Sequence, residues 1–487
     1  MLTMQTYRLE DKKQISLSLV LVLFAVNLFT GISTCFAAHG DEPAGLFSDI
    51  SINGYFKNET AYRYNEPRSI TKLRNIAFLG ANAPIGEDAK LTFSGWVYHD
   101  LAYDLFDYET ISARFVRDAE QPLVFVENLL HEKDTPVAEF RELYLDYFFD
   151  NMDIRIGKQF VVWGVLDGIR IVDEVNPMDF RELILLDLLD YRIPLWTFKL
   201  DYYGENADYQ FLWIPDVRFH KPAPPGSEWE LLQEVPNTHF PKKYELINSE
   251  FGVRMTRDFW DTEFTFSYMY TWDDFPVVFR QVELDSSIDP VFIPTFTRIN
   301  IFGSTFIKQL GKFVVKGELA FVPDKYFGLG NDSDINDDGF LDNDGELKKQ
   351  HIRWGLGIDF NIWGIDFSPA ISQWVILDYD DRLLQDRFDT SFALFIRKPL
   401  PQKSAVFQLL MINLINLGET YIKPKVMFDI TDQFQIATGL DLLMGKKSQF
   451  GVSASTALTP TTIEQRAQFF GNFHDNDRVF IEFKYAY

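Results

Sequence analysis

The chain reads Glu263-Phe264-Thr265-Phe266-Ser267-Tyr268-Met269-Tyr270-Thr271-Trp272 near its middle, and this stretch decides the fold. From Phe264 onward an aromatic side chain occupies every second position, while polar side chains occupy most of the positions between them. A period of two is that of a β-strand with one apolar and one polar face, whereas an amphipathic helix repeats every 3.6 residues. The stretch is therefore predicted to be a strand that separates an apolar environment from a polar one.

The same alternation recurs along the chain, at 196–202, 352–360 and 434–442. Tight polar turns stand at 86–88, 150–151, 204–206, 258–261, 310–311, 362–364, 399–402 and 431–433. Longer segments stand at 103–137, 165–192, 219–247, 273–296, 324–349 and 446–474, with shorter linkers near 65–71, 379–386 and 416–420. Short turns on one edge and long loops on the other are typical of an outer-membrane barrel. Strands of roughly 10 residues give an all-β, antiparallel transmembrane β-barrel of about 18 strands, with 16 as the alternative count.

The end of the chain carries a second strong signal for this fold. One face of the last strand presents Val479, Ile481, Phe483, Tyr485 and Tyr487, and the other presents Phe480, Glu482, Lys484 and Ala486. A final strand that alternates and ends in an aromatic residue resembles the signal read by the outer-membrane barrel-insertion machinery. Pairing of this strand with the first one, near 50–64, would close the barrel and remove an exposed edge.

The first residues have the features of an export signal. Basic residues precede a mostly apolar stretch at 15–32, and small residues at Cys35 and Ala37 follow it. This arrangement predicts a signal peptide over 1–37 and a single barrel domain with long external loops over 38–487. A retained anchor and a lipoprotein at Cys35 are the alternatives. The predicted location is the outer membrane of a Gram-negative bacterium, with its lipids as partners.

Composition excludes several classes of function. The 71 acidic residues outnumber the 46 basic ones and give a net charge of −25, which argues against a nucleic-acid partner. A single cysteine excludes a disulfide framework, a cysteine-rich zinc site and an iron–sulfur cluster, and no Cys-x-x-Cys-His motif for covalent haem occurs. Seven scattered histidines without a nucleophile motif predict that the protein is not an enzyme.

Charges of both signs occupy the predicted inward faces of the strands. The residues predicted to line the lumen are Arg155, Lys199, Arg254, Glu263, Arg298, Lys316, Glu318, Arg353, Asp359, Lys423, Lys425 and Asp441. Such groups line a water-filled passage and bias which solutes enter, or they pair across strands and stiffen the wall. A barrel of 16–18 strands is wide enough for an aqueous channel unless loops fill it.

The segment after the fifth strand is too apolar for a free loop. Asn176-Pro177 is a favourable helix start, and 181–190 then mixes acids with many leucines. We expect a short helix that folds inward as a plug or constriction, or that caps the rim. The residues assigned to this constriction are Asn176, Pro177, Phe180 and Arg181.

Three short motifs mark the same region: Gly157-Lys158-Gln159, Val162-Trp163-Gly164 and Val175-Asn176-Pro177-Met178-Asp179. Together they resemble a large, poorly characterised family of Gram-negative outer-membrane β-barrel (porin-like) proteins, often encoded beside efflux-type exporters of lipids or hydrophobes. The resemblance implies a porin-like channel, or the outer leg of a transport path for hydrophobic or lipid-like solutes, with a periplasmic or inner-membrane exporter as partner. The alternative is a non-conducting scaffold, either a surface protein or a sheath for an electron-transfer cytochrome.

The acidic run at 334–344 resembles a calcium loop. Side-chain oxygens stand at its first, third, fifth and ninth positions, and Gly339 stands at the sixth. The predicted Ca²⁺ ligands are Asp334, Asn336, Asp338 and Asp342 through side chains and Phe340 through its carbonyl. Gly345 occupies the twelfth position, where such loops carry glutamate, and the alternative is a solvated acidic loop.

Overall fold

The computed structural model describes residues 50–106, 137–185, 190–223, 227–229, 238, 240–281, 291–329, 346–446 and 469–487. The predicted signal peptide over 1–37 lies outside these residues. The predicted calcium ligands Asp334, Asn336, Asp338, Phe340 and Asp342 also lie outside them.

Strands make up most of the described chain. The first ten are β1 (Ser51–Arg63), β2 (Ser69–Ile85), β3 (Ala89–Asp100), β4 (Val137–Phe148), β5 (Met152–Gln159), β6 (Leu195–Tyr203), β7 (Asp208–Ile214), β8 (Glu250–Phe259), β9 (Thr262–Trp272) and β10 (Val277–Gln281). The next ten are β11 (Val291–Thr295), β12 (Arg298–Leu310), β13 (Phe313–Gly328), β14 (Glu346–Ile362), β15 (Ile365–Ile376), β16 (Phe388–Leu400), β17 (Ala405–Leu414), β18 (Glu419–Asp429), β19 (Phe434–Met444) and β20 (Arg478–Ala486). The helices are α1 (Ala102–Leu105) and 3₁₀ turns at Leu246–Asn248, Pro401–Lys403 and Gly471–Asn476.

Eighteen of these strands form one antiparallel barrel. Each barrel strand pairs with its neighbours in chain order, and β9 pairs with β12 because β10 and β11 form a separate hairpin between them. The prediction of about 18 strands in a closed barrel is confirmed. Tight turns join the strands at one end, called here the turn end, and the longer connections lie at the other end, called the loop end.

The seam between β1 and β20 closes the barrel. Their residues pair in continuous register from Tyr55 opposite Ala486 to Arg63 opposite Arg478. Beyond this ladder, Gly54 and Tyr487 exchange two backbone hydrogen bonds, of 3.2 and 3.0 Å. A Cβ atom on Gly54 would lie 2.5 Å from the Tyr487 hydroxyl, so a glycine is needed where the terminal aromatic ring crosses the first strand.

The two faces of the wall differ as the alternation predicts. On β9, Phe266 and Tyr268 are 46% and 36% exposed on the outward face, whereas Thr265 and Met269 retain 5% and 2% of their exposure on the inward face. The barrel therefore presents apolar side chains to its surroundings and buries polar and small ones inside.

The helix predicted to begin at Asn176-Pro177 does not form within the described residues 165–185 and 190–194, which contain turns and isolated bridges. The Asn176 side chain reaches Val161 and Ile193 and so cannot cap a helix. In the described chain, no helix is long and apolar enough to cross a membrane.

The closure predicts a specific cross-link at the seam. Thr60 and Ile481 are direct register partners, so their Cα atoms lie about 4.5–5.5 Å apart, within the range of a disulfide. The variant Thr60→Cys, Ile481→Cys should form a disulfide in the folded barrel, seen as a mobility shift on a non-reducing gel.

The matched control is Thr60→Cys, Phe483→Cys, whose diagonal separation of about 7–8 Å is too long for a disulfide. Equal cross-linking of both pairs, or of neither, would contradict the register.

Candidate functional site: the barrel interior

The described residues 160–185 and 190–194, called here the inner segment, lie between β5 and β6 in the chain and run through the inside of the barrel. Side chains from widely separated strands contact it, as four hydrogen bonds or ion pairs show: Glu318 of β13 with Val165, Arg353 of β14 with Glu174, Lys423 of β18 with Leu185, and Lys72 of β2 with Glu182. A segment touched from these different directions crosses the interior.

Glu318 is the principal anchor on one side. One carboxylate oxygen accepts hydrogen bonds from the backbone N–H groups of Val165 at 2.5 Å and Leu166 at 2.7 Å. The other oxygen accepts from the Val172 N–H at 3.1 Å. The carboxylate thus satisfies backbone donors of a segment that has left the sheet, which would otherwise be costly to bury.

The inner segment also fixes its own shape. The Asn176 amide accepts from the Val161 N–H at 2.8 Å and donates to the Ile193 carbonyl at 2.9 Å, which ties the two ends of the segment together. Asp173 accepts from the Trp163 N–H at 3.1 Å and from Arg192 at 2.5 Å. The Pro177 carbonyl accepts from the Ile193 N–H at 2.8 Å, which reinforces the same closure.

An apolar cluster packs the inner segment against part of the wall. It consists of Val161, Trp163, Ile171, Val172 and Val175 from the segment with Leu195, Leu212, Ile214, Met269, Ile299, Ile301, Ala320 and Val322 from the wall. Wall glycines make room for it: a Cβ atom on Gly252 would lie 2.7 Å from Trp163, and one on Gly303 would lie 3.0 Å from Val172. Larger residues at these glycines would push the segment away.

Glu174 adds an ionic contact. Arg353 of β14 pairs with its carboxylate, and Arg170 lies within 3.5 Å of it. Burial alone would raise the pKa of Glu174, but the two guanidinium groups lower it to about 2. Glu174 therefore remains charged and holds the segment to β14 by a charge-assisted hydrogen bond.

His220 contacts the inner segment at Met178 and Phe180, near the loop end. The Met178 N–H donates to His220 Nδ1 at 2.9 Å, and the imidazole meets Phe180 edge-on at 5.0 Å between ring centroids. Burial, together with the charge of Arg170, lowers the pKa of His220 to about 3. The ring is therefore neutral at neutral pH and can accept this hydrogen bond.

Arg181 holds the predicted constriction to another part of the wall. It pairs with Asp179 at 2.5 Å and donates to the hydroxyl of Tyr98 on β3. Phe180 and Arg181 are thus held against His220 and Tyr98, and Asn176 and Pro177 are buried in the same segment.

Glu182 lies in a cluster of charges that the sequence analysis did not single out. Lys72 approaches it at 2.9 Å and Arg478 at 3.5 Å, and Arg74 also pairs with it. Lys72 is shared with Glu59 of β1, at 2.5 Å. The sequence does indicate this cluster, because charged residues alternate at 57 and 59 on β1 and at 72 and 74 on β2.

A polar cavity of about 30 Å³ lies beside this cluster, enough for about two water molecules. Its charged lining residues are Lys57, Glu59, Lys72, Asp190, Lys423, Asp441, Arg478 and Glu482. The cavity separates the inner segment at Leu185 and Asp190 from the wall formed by β18, β19, β20, β1 and β2.

Most other predicted inward charges pair within the wall. These pairs are Arg155 with Asp146 at 2.5 Å, Lys199 with Asp201 at 2.5 Å, Lys316 with Asp359 at 2.5 Å, Lys425 with Glu482 at 3.0 Å and Asp441 with Arg478 at 2.8 Å. Arg254 lies over the Trp163 ring at 5.9 Å, and Glu263 is exposed. The predicted residues therefore surround the inner segment rather than converge on one point.

Arg298 departs from the predicted arrangement, because it lies on the outward face. Its register partner is Trp272, and its guanidinium lies over the Trp272 and Tyr270 rings at 4.0 and 4.6 Å. Ile299 and Ile301 take the inward positions of β12, in the apolar cluster. The alternation therefore leaves Arg298 outside, beside the aromatic residues at the loop end.

The arrangement positions a segment inside the barrel and leaves a charged cavity beside it. In the part of the chain that the structure describes, no group of three His, Cys, Asp or Glu side chains is placed to hold a metal ion. The buried charges form ion pairs, the Glu318 carboxylate accepts hydrogen bonds from backbone N–H groups, and Lys423 donates one to a backbone carbonyl, which together fix the inner segment relative to the wall.

Glu318→Gln should loosen the inner segment without opening the barrel. The amide has one accepting oxygen where the carboxylate has two, so at least one buried N–H loses a charge-assisted partner, at a cost of about 2 kcal/mol. Amide hydrogen exchange at Val165, Leu166 and Val172 should accelerate by roughly thirtyfold.

Glu263→Gln is the control, because it removes an exposed negative charge that does not contact the inner segment. Unchanged exchange in Glu318→Gln, with heat-modifiable gel mobility retained in both variants, would contradict the anchoring role.

Comparison with solved structures finds similar β-barrels of low sequence identity. OccAB2 of Acinetobacter baumannii is 9% identical, with 91% of this chain and 99% of that chain covered and a TM-score of 0.46. OccK8 (OprE) of Pseudomonas aeruginosa is 9% identical, with 91% and 99% covered and a TM-score of 0.47. The outer membrane channel DcaP of Acinetobacter baumannii is 8% identical, with 90% and 97% covered and a TM-score of 0.39.

Sequence comparison gives a family. No curated protein matches the chain. The model of the family described as "Protein of unknown function (DUF1302)" matches residues 86–337, which is 252 of the 487 residues. The match begins at the turn between β2 and β3, includes the inner segment and ends beyond β13. The chain belongs to the DUF1302 family.

Proposed function

We propose that this protein is an outer-membrane channel whose passage is narrowed by the inner segment. The observation that carries this proposal is a closed 18-stranded barrel in which the inner segment is tied to the wall while a charged cavity remains beside it. A barrel of this strand number is wide enough for an aqueous passage, and a segment folded inside reduces its bore. The channel would be passive.

The outward face supports the membrane location. Large apolar side chains are exposed around the wall, including Phe211 at 43%, Leu319 at 50% and Ile358 at 40%. Such a surface is unfavourable in water but suits a bilayer, where closure of the sheet also pairs the backbone groups. The proposed location is the outer membrane of a Gram-negative bacterium, with the long loops outside.

An inward apolar stripe supports hydrophobic or lipid-like solutes. On β17, Leu410 and Ile412 share a face with Leu414, and all three pack against the cluster that contains Leu185. Their register partners on β16 are Phe395 and Ala393 for the first two. Apolar residues on the inner wall give an apolar solute a favourable surface, which an exclusively aqueous pore does not need. The route would continue through the exporter partner that the family resemblance implies.

The scaffold alternative is less consistent with the interior. A sheath around a separate cytochrome needs an open bore, but the inner segment is held there by Glu318, Arg353 and Lys423. A second protein could enter only by displacing these contacts. The geometry therefore favours a channel over a sheath.

Planar-bilayer recording tests the channel. The purified barrel should conduct, and Glu182→Gln should raise the conductance about twofold, because Lys72, Arg74 and Arg478 would lose the charge that holds the segment near them. Asp432→Asn, which removes one exposed negative charge from the turn between β18 and β19, should leave the conductance unchanged. A correctly folded barrel that never conducts would overturn the proposal in favour of the scaffold.

The solute class has its own test. A single-chain amphiphile with an octyl tail should reduce the ion current by occupying the apolar stripe. In Leu410→Asn, Ile412→Asn this block should weaken about thirtyfold, since each of the two aliphatic side chains contributes roughly 1 kcal/mol to an apolar contact. Equal block in the wild type and in this variant would exclude the stripe as the solute contact.

A further inference from the structure

The two sides of the inner segment face unlike walls. On one side, called here the sealed side, lie β6 to β9 and β12 to β14. On the other, called here the ionic side, lie β18, β19, β20, β1 and β2. The difference between these sides determines where an ion can pass.

The sealed side is close-packed and largely apolar, and the buried charges of Glu318 and Arg353 on this side are bound to the segment. Val172 of the segment and Ile301 and Ala320 of the wall are at most 3% exposed, and they belong to one continuous cluster. On Gly355, a Cβ atom would lie only 2.6 Å from Leu166, so segment and wall are in direct contact. An ion crossing here would lose its hydration among apolar side chains and among charges that are already bound to the segment, which is costly.

The ionic side retains a cavity and a dense set of charges. Lys57 pairs with Glu59 at 2.6 Å and lies 3.6 Å from Glu482, which also pairs with Lys425 at 3.0 Å. Fixed charges of both signs replace part of the hydration of a passing ion.

The two signs are balanced around this cavity. Its lining contains four cationic residues, Lys57, Lys72, Lys423 and Arg478, and four acidic residues, Glu59, Asp190, Asp441 and Glu482. A balanced lining favours neither cations nor anions strongly. Removal of a single charge should therefore shift the preference in a direction that the sign predicts.

We propose that ions cross this barrel along the ionic side of the inner segment, between the segment and the wall from β18 to β2, and that the sealed side carries none. This inference rests on the proposed channel function and deepens it, because it assigns the route and the residues that set its selectivity. Lys57 and Glu482 are the selectivity-determining pair.

Reversal potentials in a potassium chloride gradient test the route. The wild type should show similar permeabilities for K⁺ and Cl⁻. Lys57→Gln should shift the permeability ratio about twofold toward K⁺, and Glu482→Gln should shift it about twofold toward Cl⁻. Arg254→Gln is the matched control, because it removes one inward positive charge beside Trp163 on the sealed side. It should leave the ratio unchanged.

A shift in Arg254→Gln as large as that in Lys57→Gln would overturn the assignment, and so would the absence of a shift in both ionic-side variants. If the wild type does not conduct, the channel function fails, and thiol labelling of the folded barrel then decides the route. A small charged methanethiosulfonate should modify Lys57→Cys and leave Val172→Cys unmodified. Comparable labelling at both positions would contradict the inference that the sealed side is closed to ions.

Discussion

Pairing of the first strand with the last is the constraint on which the whole structure depends. Until β20 lies beside β1, each of these strands has a row of unpaired backbone groups along one edge, and the apolar outward face is interrupted there. Closure satisfies those groups and also creates an inside. The inside then allows polar and charged side chains to be buried together, because each finds its partner across the wall or on the inner segment.

The inner segment is held by two kinds of contact that do different work. Toward β12 to β14, Gly303 and Gly355 let apolar side chains of the segment approach the wall backbone closely. Glu318 accepts hydrogen bonds from backbone N–H groups of the segment. Toward β2 and β20, Glu182 contributes a carboxylate to a group of cations. The first kind excludes water and fixes the position, whereas the second leaves polar and charged groups around a cavity. This asymmetry favours the proposed route along the ionic side of the segment over one along the sealed side.

Local pattern was sufficient to predict the wall but insufficient to predict the interior. Adjacent residues of a strand lie on opposite faces, so the two-residue alternation along the chain predicts the number of strands, the turns and the pair of strands that closes the barrel. Asn176 looked like a helix cap because Pro177 follows it, but its amide bonds Val161 and Ile193, and a tertiary contact replaced the local one. The charge of Arg298 predicts an inward position, but Ile299 and Ile301 take the inward positions of β12, and the alternation therefore places Arg298 on the outward face. The partners of Glu182 are too distant in sequence for any periodicity to connect them.

The distances along the chain between the inner segment and its anchors bear on how the molecule is assembled. Val165 is separated from Glu318 by 153 residues, and Leu185 is separated from Lys423 by 238. Glu318, Arg353 and Lys423 are synthesised after the segment that they hold, whereas Lys72 and Tyr98 precede it. A chain made from its amino terminus therefore carries the segment with only its contacts to β2 and β3 available until the later strands are synthesised. A truncated chain lacking β13 to β20 would therefore lack the contacts of Glu318, Arg353 and Lys423 that keep the segment in place.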